Sequence, residues 1–301
     1  MTEKTTAAML GKAGLWTMQL DFQPAARTRE VVGELESLGY RSLWFPEAIG
    51  KESLTSAAVL LGATREMTVA TGITNIWGRD PVTAANAHRT LTEAYPGRFA
   101  LGLGVSHPMI VEQVRGHRFQ RPATAMERYL DAMDEAPYQG PEPATKPVRI
   151  LAALGPRMLT LASKRADGAL TYLVTPEHTA SARELLGDSL LAVEVAVAPT
   201  TDRDKAREMA RAYLDFYLPL PGYQANWKRL GFDEKDFSDG GSDRLVDAMV
   251  PFGGPEAIAD QVRAHQRAGA DHVCVQVLDA DPAGLPLDTW RQLAPALKAV
   301  S

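Results

Sequence analysis

Hydrophobicity along this chain is organised as short β-rich runs, each followed by a stretch with helical spacing, and the alternation occurs eight times. The best-marked instance spans residues 68–107. A run of β-formers (TVATGIT) breaks at NIWGRD, and Pro81 stands where a first helical residue is favoured. Apolar positions then recur at Val82, Ala85, Leu91 and Ala94 until Tyr95-Pro96-Gly97 stops the helix before a second run, RFALGLG. Two strands joined through a helix run parallel with a right-handed crossover, because no tight turn can connect parallel strands. Eight such alternations in 301 residues predict an α/β fold closed as a (β/α)8 TIM barrel, rather than an open doubly wound sheet. The expected arrangement is one domain over residues 1–301, with insertions at the C-terminal mouth, the edge where barrel ligands bind.

Taken in order, the strands are expected at 14–20, 42–46, 68–74, 98–104, 148–152, 167–172, 190–198 and 272–278. Helices are expected at 25–38, 53–65, 81–95, 124–135, 156–165, 176–186, 202–217, 255–268 and 288–300, the last capped by Asp288. Residues 108–123 lack a clean period and read as a loop or short helix over the mouth. Residues 219–242, rich in Gly, Pro and Asp, read as irregular.

Composition narrows the function. A net charge of −5 argues against a general nucleic-acid binder. The single cysteine, Cys274, excludes an internal disulfide and a cysteine metal cluster, and no two of the six histidines have metal-ligand spacing, so no metal is expected. No window approaches 18 apolar residues and the start lacks the apolar region of a signal peptide, so a cytoplasmic protein off the membrane is expected.

Familiar chemical motifs are missing: there is no GxGxxG after the first strand, no Walker loop, no HExxH and no GxSxG. His88, His265 and His272 fall where structural histidines do, whereas His107, just past a strand's C-terminal end, and His117, in the loop over the mouth, are candidates to face a ligand. The run LAALGPRM at 151–158 leaves a strand and opens a helix with Pro156 in its first turn. Free N–H groups, the helix dipole and Arg157 there favour an anion, although an ordinary turn with a surface arginine has the same sequence.

Five blocks in order carry a resemblance: GYRSLWFPEA, VATGITNIWGRDPVTAANAHRTL, GRFALGLGVSHP, LAALGPRMLTLASKRADG and FGGPEAIADQVRAHQRAGADHVCVQV. Together the chain resembles the bacterial luciferase-like superfamily of flavin and deazaflavin oxidoreductases, and within it the branch that uses coenzyme F420. The resemblance implies a cofactor ring across the barrel mouth, backed by a bulge with a non-proline cis peptide, here the Gly72–Ile73 bond before Asn75. It implies that Glu47 lies near the ring, that Val105 and Ser106 contact it, and that Ala153, Leu154, Gly155, Pro156, Arg157 and Met158 form the phosphate-binding turn, with Lys51 and Arg79 as lesser candidate cations.

The implied reaction is hydride transfer between the deazaflavin C5 and a small substrate, with His107 as proton donor or acceptor. Sugar-phosphate dehydrogenases of the family carry a histidine and a glutamate where this chain has Ala48 and His107, which argues against a sugar phosphate. Trp16, Trp44, Phe45 and Trp77 suggest a hydrophobic partner, though core packing explains Trp44 and Phe45 equally. Two alternatives stand beside this reading: an FMN-dependent monooxygenase of the same fold, and a non-catalytic barrel that binds a flavin or deazaflavin. Family habit suggests a homodimer.

Overall fold

A computed structural model describes residues 6–300; residues 1–5, part of the start read above for a signal peptide, lie outside the described residues. Nine strands, β1 (Ala13–Trp16), β2 (Ser42–Phe45), β3 (Thr68–Thr71), β4 (Thr74–Asn75), β5 (Phe99–Gly104), β6 (Val148–Ala152), β7 (Gly168–Thr171), β8 (Leu190–Val197) and β9 (His272–Val277), form a single parallel sheet. Pairing runs β3-β2-β1-β9-β8-β7-β6-β5-β4, and β3 also pairs with β5, which closes the sheet. β3 and β4 are two halves of one barrel position, interrupted at Gly72 and Ile73. The barrel therefore has the eight positions expected, and the fold is a TIM barrel.

The helices are α1 (Thr6–Leu10), α2 (Ala25–Ser37), α3 (Ser53–Gly62), α4 (Pro81–Ala94), α5 (Pro122–Asp134), α6 (Pro156–Arg165), α7 (Pro176–Leu186), α8 (Arg203–Leu214), α9 (Pro221–Arg229), α10 (Asp243–Met249), α11 (Pro255–Arg267) and α12 (Leu287–Lys298). Several begin at a proline whose missing N–H costs nothing in the first turn. Asp80 and Asp202 cap α4 and α8 by accepting backbone N–H bonds.

Three expectations change. Strand β1 stops at Trp16, and Gln19–Phe22 forms a tight helical turn, because Thr17 Oγ1 accepts from the Gln19 N–H and bends the chain. The stretch 219–242 is not irregular: it holds α9 and a short turn at Glu234–Asp236, then leads into α10. Asp288 is not the cap of the last helix. That helix starts at Leu287 behind Pro286, and Asp288 sits in its first turn, where an anion favours the dipole.

Inside the barrel, Trp44, Ala70, Ala100, Ile150, Leu170, Ala192 and Cys274 pack together, so the axis is a core and not a pore. The N-terminal end is closed by α1, whose Leu10 joins that cluster, and by His272. The imidazole of His272 receives the Trp44 indole N–H at 2.9 Å and contacts the Gly11 carbonyl at 2.8 Å. A larger outer core lies between sheet and helices. A third cluster gathers α8, α9 and α10 around Trp227 beside the mouth.

Candidate active site

The C-terminal ends of the strands open into a cavity of about 1720 Å³. One wall is the interruption between β3 and β4. The Gly72–Ile73 peptide is cis, and Trp16 Nε1 donates to the Gly72 carbonyl at 3.1 Å. A side chain at Gly72 would come within 2.7 Å of that indole nitrogen, and one at Gly102 within 1.9 Å of the Thr71 carbonyl, so close approach requires glycine at both. Thr71 Oγ1 donates to the Gly102 carbonyl at 2.8 Å and accepts from the Gly102 N–H at 2.9 Å, which satisfies backbone groups that the interruption exposes.

Glu47 secures the same wall from behind. Its N–H donates to the Ile73 carbonyl at 3.0 Å, and its carboxylate accepts the Asn75 N–H at 2.7 Å while pairing in two-pronged fashion with Arg79. Arg79 also pairs with Glu52 at 2.7 Å. Burial alone would push the Arg79 guanidinium down, but the two carboxylates outweigh it and its pKa is raised. Arg79 is thus a buried structural cation, not a free phosphate ligand. Lys51 is likewise engaged, its ammonium donating to the Leu20 and Gln23 carbonyls at 2.8 and 2.6 Å.

The second wall is the β6–α6 turn. Gly155 caps α6 without a side chain, and His178 holds the preceding Leu154 carbonyl at 2.8 Å. Arg157 faces the cavity, and Arg229, at the end of α9, reaches within 3.3 Å of where a Gly155 side chain would begin. A smaller side cavity of about 800 Å³ continues outward past Pro156 and Thr124 to Arg121. Among the described residues, no carboxylate pairs with Arg121, Arg157 or Arg229. This is a strip of free positive charge on an acidic protein.

The third wall is aromatic. His107 is half-buried, with Phe216, Tyr217 and Tyr223 around it at centroid distances of 5.6, 6.4 and 5.9 Å. Burial lowers its pKa to about 4, so the imidazole is neutral at pH 7. Below these rings, the hydroxyls of Tyr172 and Tyr213 meet the side-chain oxygen of Gln276, and the Tyr217 hydroxyl donates to that of Tyr172. Five large apolar side chains exposed on the described surface, Phe22, Ile49, Met109, Val114 and Phe216, ring the entrance.

Of the residues singled out in the sequence, Trp16, Glu47, Gly72, Ile73, Val105, Ser106, His107, Ala153, Leu154, Gly155, Arg157 and Met158 meet at this one cavity, and Pro156 lines its side extension. Ser106 adopts a left-handed φ of 59° beside Val105. Asn75, Trp77 and His117 do not line it. Asn75 is fully buried, its side-chain oxygen accepting the Trp77 N–H at 2.9 Å. Trp77 turns its indole N–H to the Val105 carbonyl at 3.0 Å and stacks on His117 at 5.6 Å, so both brace the wall from outside. Trp44 and Phe45 belong to the core.

Sequence reading missed Arg229, Gln276 and the tyrosines. Their one signal is spacing: Tyr213 and Tyr217, then Tyr223 and Trp227, stand four apart and share a helix face. Among the described residues, no cluster of three His, Cys, Asp or Glu could hold a metal, and no helix is long and apolar enough to cross a membrane.

A closed barrel with a deep mouth cavity, a glycine-dependent bulge and arginines at the start of a helix beside the mouth is the frame of a TIM-barrel protein whose site lies at its C-terminal end. Within that class, the chain belongs to the luciferase-like monooxygenase family, whose model matches residues 4–272. It is accordingly an oxidoreductase. It is 25% identical to a Mycobacterium tuberculosis protein named "Putative coenzyme F420-dependent oxidoreductase", over 90% of this chain and 96% of that one. Among solved structures it matches the coenzyme F420-dependent tetrahydromethanopterin reductase of Methanopyrus kandleri (TM-score 0.75, 16% identity, 96% and 99% of the two chains). It also matches the FMN complex of the oxygenating constituent of 3,6-diketocamphane monooxygenase from Pseudomonas putida (TM-score 0.67, 17% identity, 95% and 98%).

Proposed function

We propose that the protein is a coenzyme F420-dependent oxidoreductase that moves a hydride between the deazaflavin C5 and a small, largely apolar organic substrate. The observation that carries this reading is the strip of three unpaired arginines leading outward from the start of α6. FMN ends in one phosphate. Coenzyme F420 continues past its phosphate into an oligoglutamate tail, and the charge of that tail calls for cations beyond the first.

The chain fits such a group in three ways. The apolar faces of Gly72 and Ile73 give a flat support for a ring, and Trp16 and Glu47 hold that support so that it need not reorganise on binding. The uncapped α6 start, with Arg157 and Arg229, would hold the phosphate, and Arg121 the tail. A deazaflavin supplies hydride donation or acceptance at C5. The chain supplies position, an apolar surrounding that excludes water, and the groups that handle the accompanying proton. His107, neutral and against the aromatic wall, touches the substrate side.

The test is a parallel titration of purified apo-protein with coenzyme F420 and FMN, followed by tryptophan fluorescence. Coenzyme F420 is expected to bind about tenfold or more tightly than FMN, each factor of ten being about 1.4 kcal/mol. A preference for FMN would move the protein to the oxygen-activating reading. Tight deazaflavin binding with no hydride exchange toward any donor or acceptor would make it a non-catalytic binder.

A further inference from the structure

We propose that the hydroxyl of Tyr217 is the proton donor to a carbonyl oxygen on the substrate, positioned by Tyr172, Tyr213 and Gln276. The inference rests on the proposed function for the hydride, and it names the polar feature that an otherwise apolar substrate must carry.

Two phenolic hydroxyls converge on one amide oxygen, and a third is bonded to one of them. Tyr172 donates to Gln276 Oε1 at 2.8 Å, Tyr213 lies 3.1 Å from the same oxygen and 2.6 Å from the Tyr172 hydroxyl, and Tyr217 donates to Tyr172 at 3.2 Å. The Tyr172 proton goes to Gln276, and the Tyr213 proton goes to Gln276 or to the Tyr172 oxygen 2.6 Å away, so both are held inside the network. The Tyr217 proton is left with the longest and weakest bond of the set, and turning it toward the cavity breaks only that bond. The network adjoins the bulge: Tyr172 meets Trp16 edge-on at 5.5 Å, and Trp16 is hydrogen-bonded to Gly72. A carbonyl held by Tyr217 therefore lies next to the surface assigned to the ring.

The acidities run the same way. Burial raises the phenols of Tyr172 and Tyr213 well above their ordinary value. Burial also raises Tyr217, but hydrogen bonding with its neighbours Tyr172 and Tyr213 holds it to about 12. His107, unprotonated at pH 7, is the weaker candidate for an acid. Glu194 lies below the network with Leu173 N–H donating to it at 3.3 Å; burial raises its pKa to about 8, so it stays neutral and spares the phenols an adjacent charge.

In the reducing direction the carbonyl carbon gains a C–H bond from the hydride of the reduced deazaflavin. The C=O π pair moves to oxygen, the Tyr217 O–H bond breaks and its proton completes the alcohol. The carbonyl is reduced and the deazaflavin oxidised. The Tyr217 phenolate accepts a hydrogen bond from Tyr172, whose hydroxyl can turn from Gln276, and water at the entrance returns the proton.

The experiment uses acetophenone and ethylbenzene, which share an apolar body and differ in the carbonyl. Apo-protein should bind acetophenone about tenfold more tightly, with its C=O infrared stretch moved to lower frequency. Tyr217→Phe should remove both the preference and the shift, leave ethylbenzene affinity and the unfolding midpoint unchanged, and retain wild-type affinity for coenzyme F420. With reduced coenzyme F420 and acetophenone, kcat should fall about 100-fold or more in Tyr217→Phe while KM for the cofactor holds, and His107→Gln should lose less. Equal affinity for the two probes, or a carbonyl shift that survives Tyr217→Phe, overturns the proposal. A Tyr217-dependent shift in a protein that binds no deazaflavin would support the carbonyl handle and sink the cofactor reading instead.

Discussion

The two long walls of the mouth are built on opposite principles. The wall at Gly72 and Ile73 is made almost entirely of backbone, and its polar atoms are satisfied from behind by Trp16, Glu47, Thr71 and Gly102. The wall at Tyr213–Tyr223 is made of side chains presented by the end of α8, the turn that follows it and α9, and one of its rings, Phe216, is 39% exposed. The first cannot change without the barrel changing, because a strand of the sheet is its substance. The second can be repainted by substitution at helix positions. A shared cofactor suits a wall of the first kind, and a protein's own substrate suits a wall of the second.

The sharpest way to break that contrast is Gly102→Ala. A methyl group 1.9 Å from the Thr71 carbonyl forces β3 and β5 apart, and a loss of about 3 kcal/mol or more in urea unfolding is expected. A cost below about 1 kcal/mol would mean the backbone wall is as adaptable as the aromatic one.

Next in size is a pH effect from the axis beneath the aromatic wall. The folded pKa of Glu194, about 8, is raised above its free value of 4.5, so between those values the folded chain keeps a proton that the unfolded chain has lost. Stability therefore falls as pH rises through this window. As pH falls through about 6.5, the ordinary value of a free histidine, His88, His107, His178, His265 and His272, all depressed by burial, add a loss in the other direction. Across pH 6.5 to 8 the two effects oppose, so the acid is read as the difference between wild type and Glu194→Gln: relative to the variant, wild type should lose on the order of 2 kcal/mol as pH rises through this window.

Arg229→Ala tests the rim. Affinity for coenzyme F420 should drop about tenfold with FMN affinity changed less, and the unfolding midpoint should barely move, since the side chain is exposed. Smallest of all is the pair that separates lining from bracing. Phe216→Ala should alter acetophenone affinity several-fold at little stability cost, whereas His117→Ala, stacked outside on Trp77, should leave affinity unchanged and cost within about 0.5 kcal/mol. A His117 variant with altered substrate affinity would restore it to the cavity.

The same contrast explains what could be read from residues alone. The barrel was legible because eight β/α alternations leave few closed solutions, and the backbone wall only through the family resemblance, which put a cis peptide at Gly72–Ile73. The aromatic wall was not. Pro221-Gly222 reads as a loop, yet Pro221 opens α9 and carries Tyr223 and Trp227 inward on one face. Arg229 has no local signal, since its proximity to Gly155 is made by tertiary packing between segments about 74 residues apart. Trp77 and His117 failed for the converse reason: an aromatic near a mouth can stand on either side of its wall, and only the Val105 carbonyl decides which.

The sealed floor bears on kinetics. With the axis packed and α1 and the Trp44–His272 bond closing the far end, nothing passes through the barrel, and a molecule in the cavity leaves on the mouth side, by the entrance or the side extension past Pro156. A molecule lodged over an occupied bulge blocks the exit of what lies beneath it, so excess substrate is expected to slow cofactor exchange while leaving the chemical step untouched.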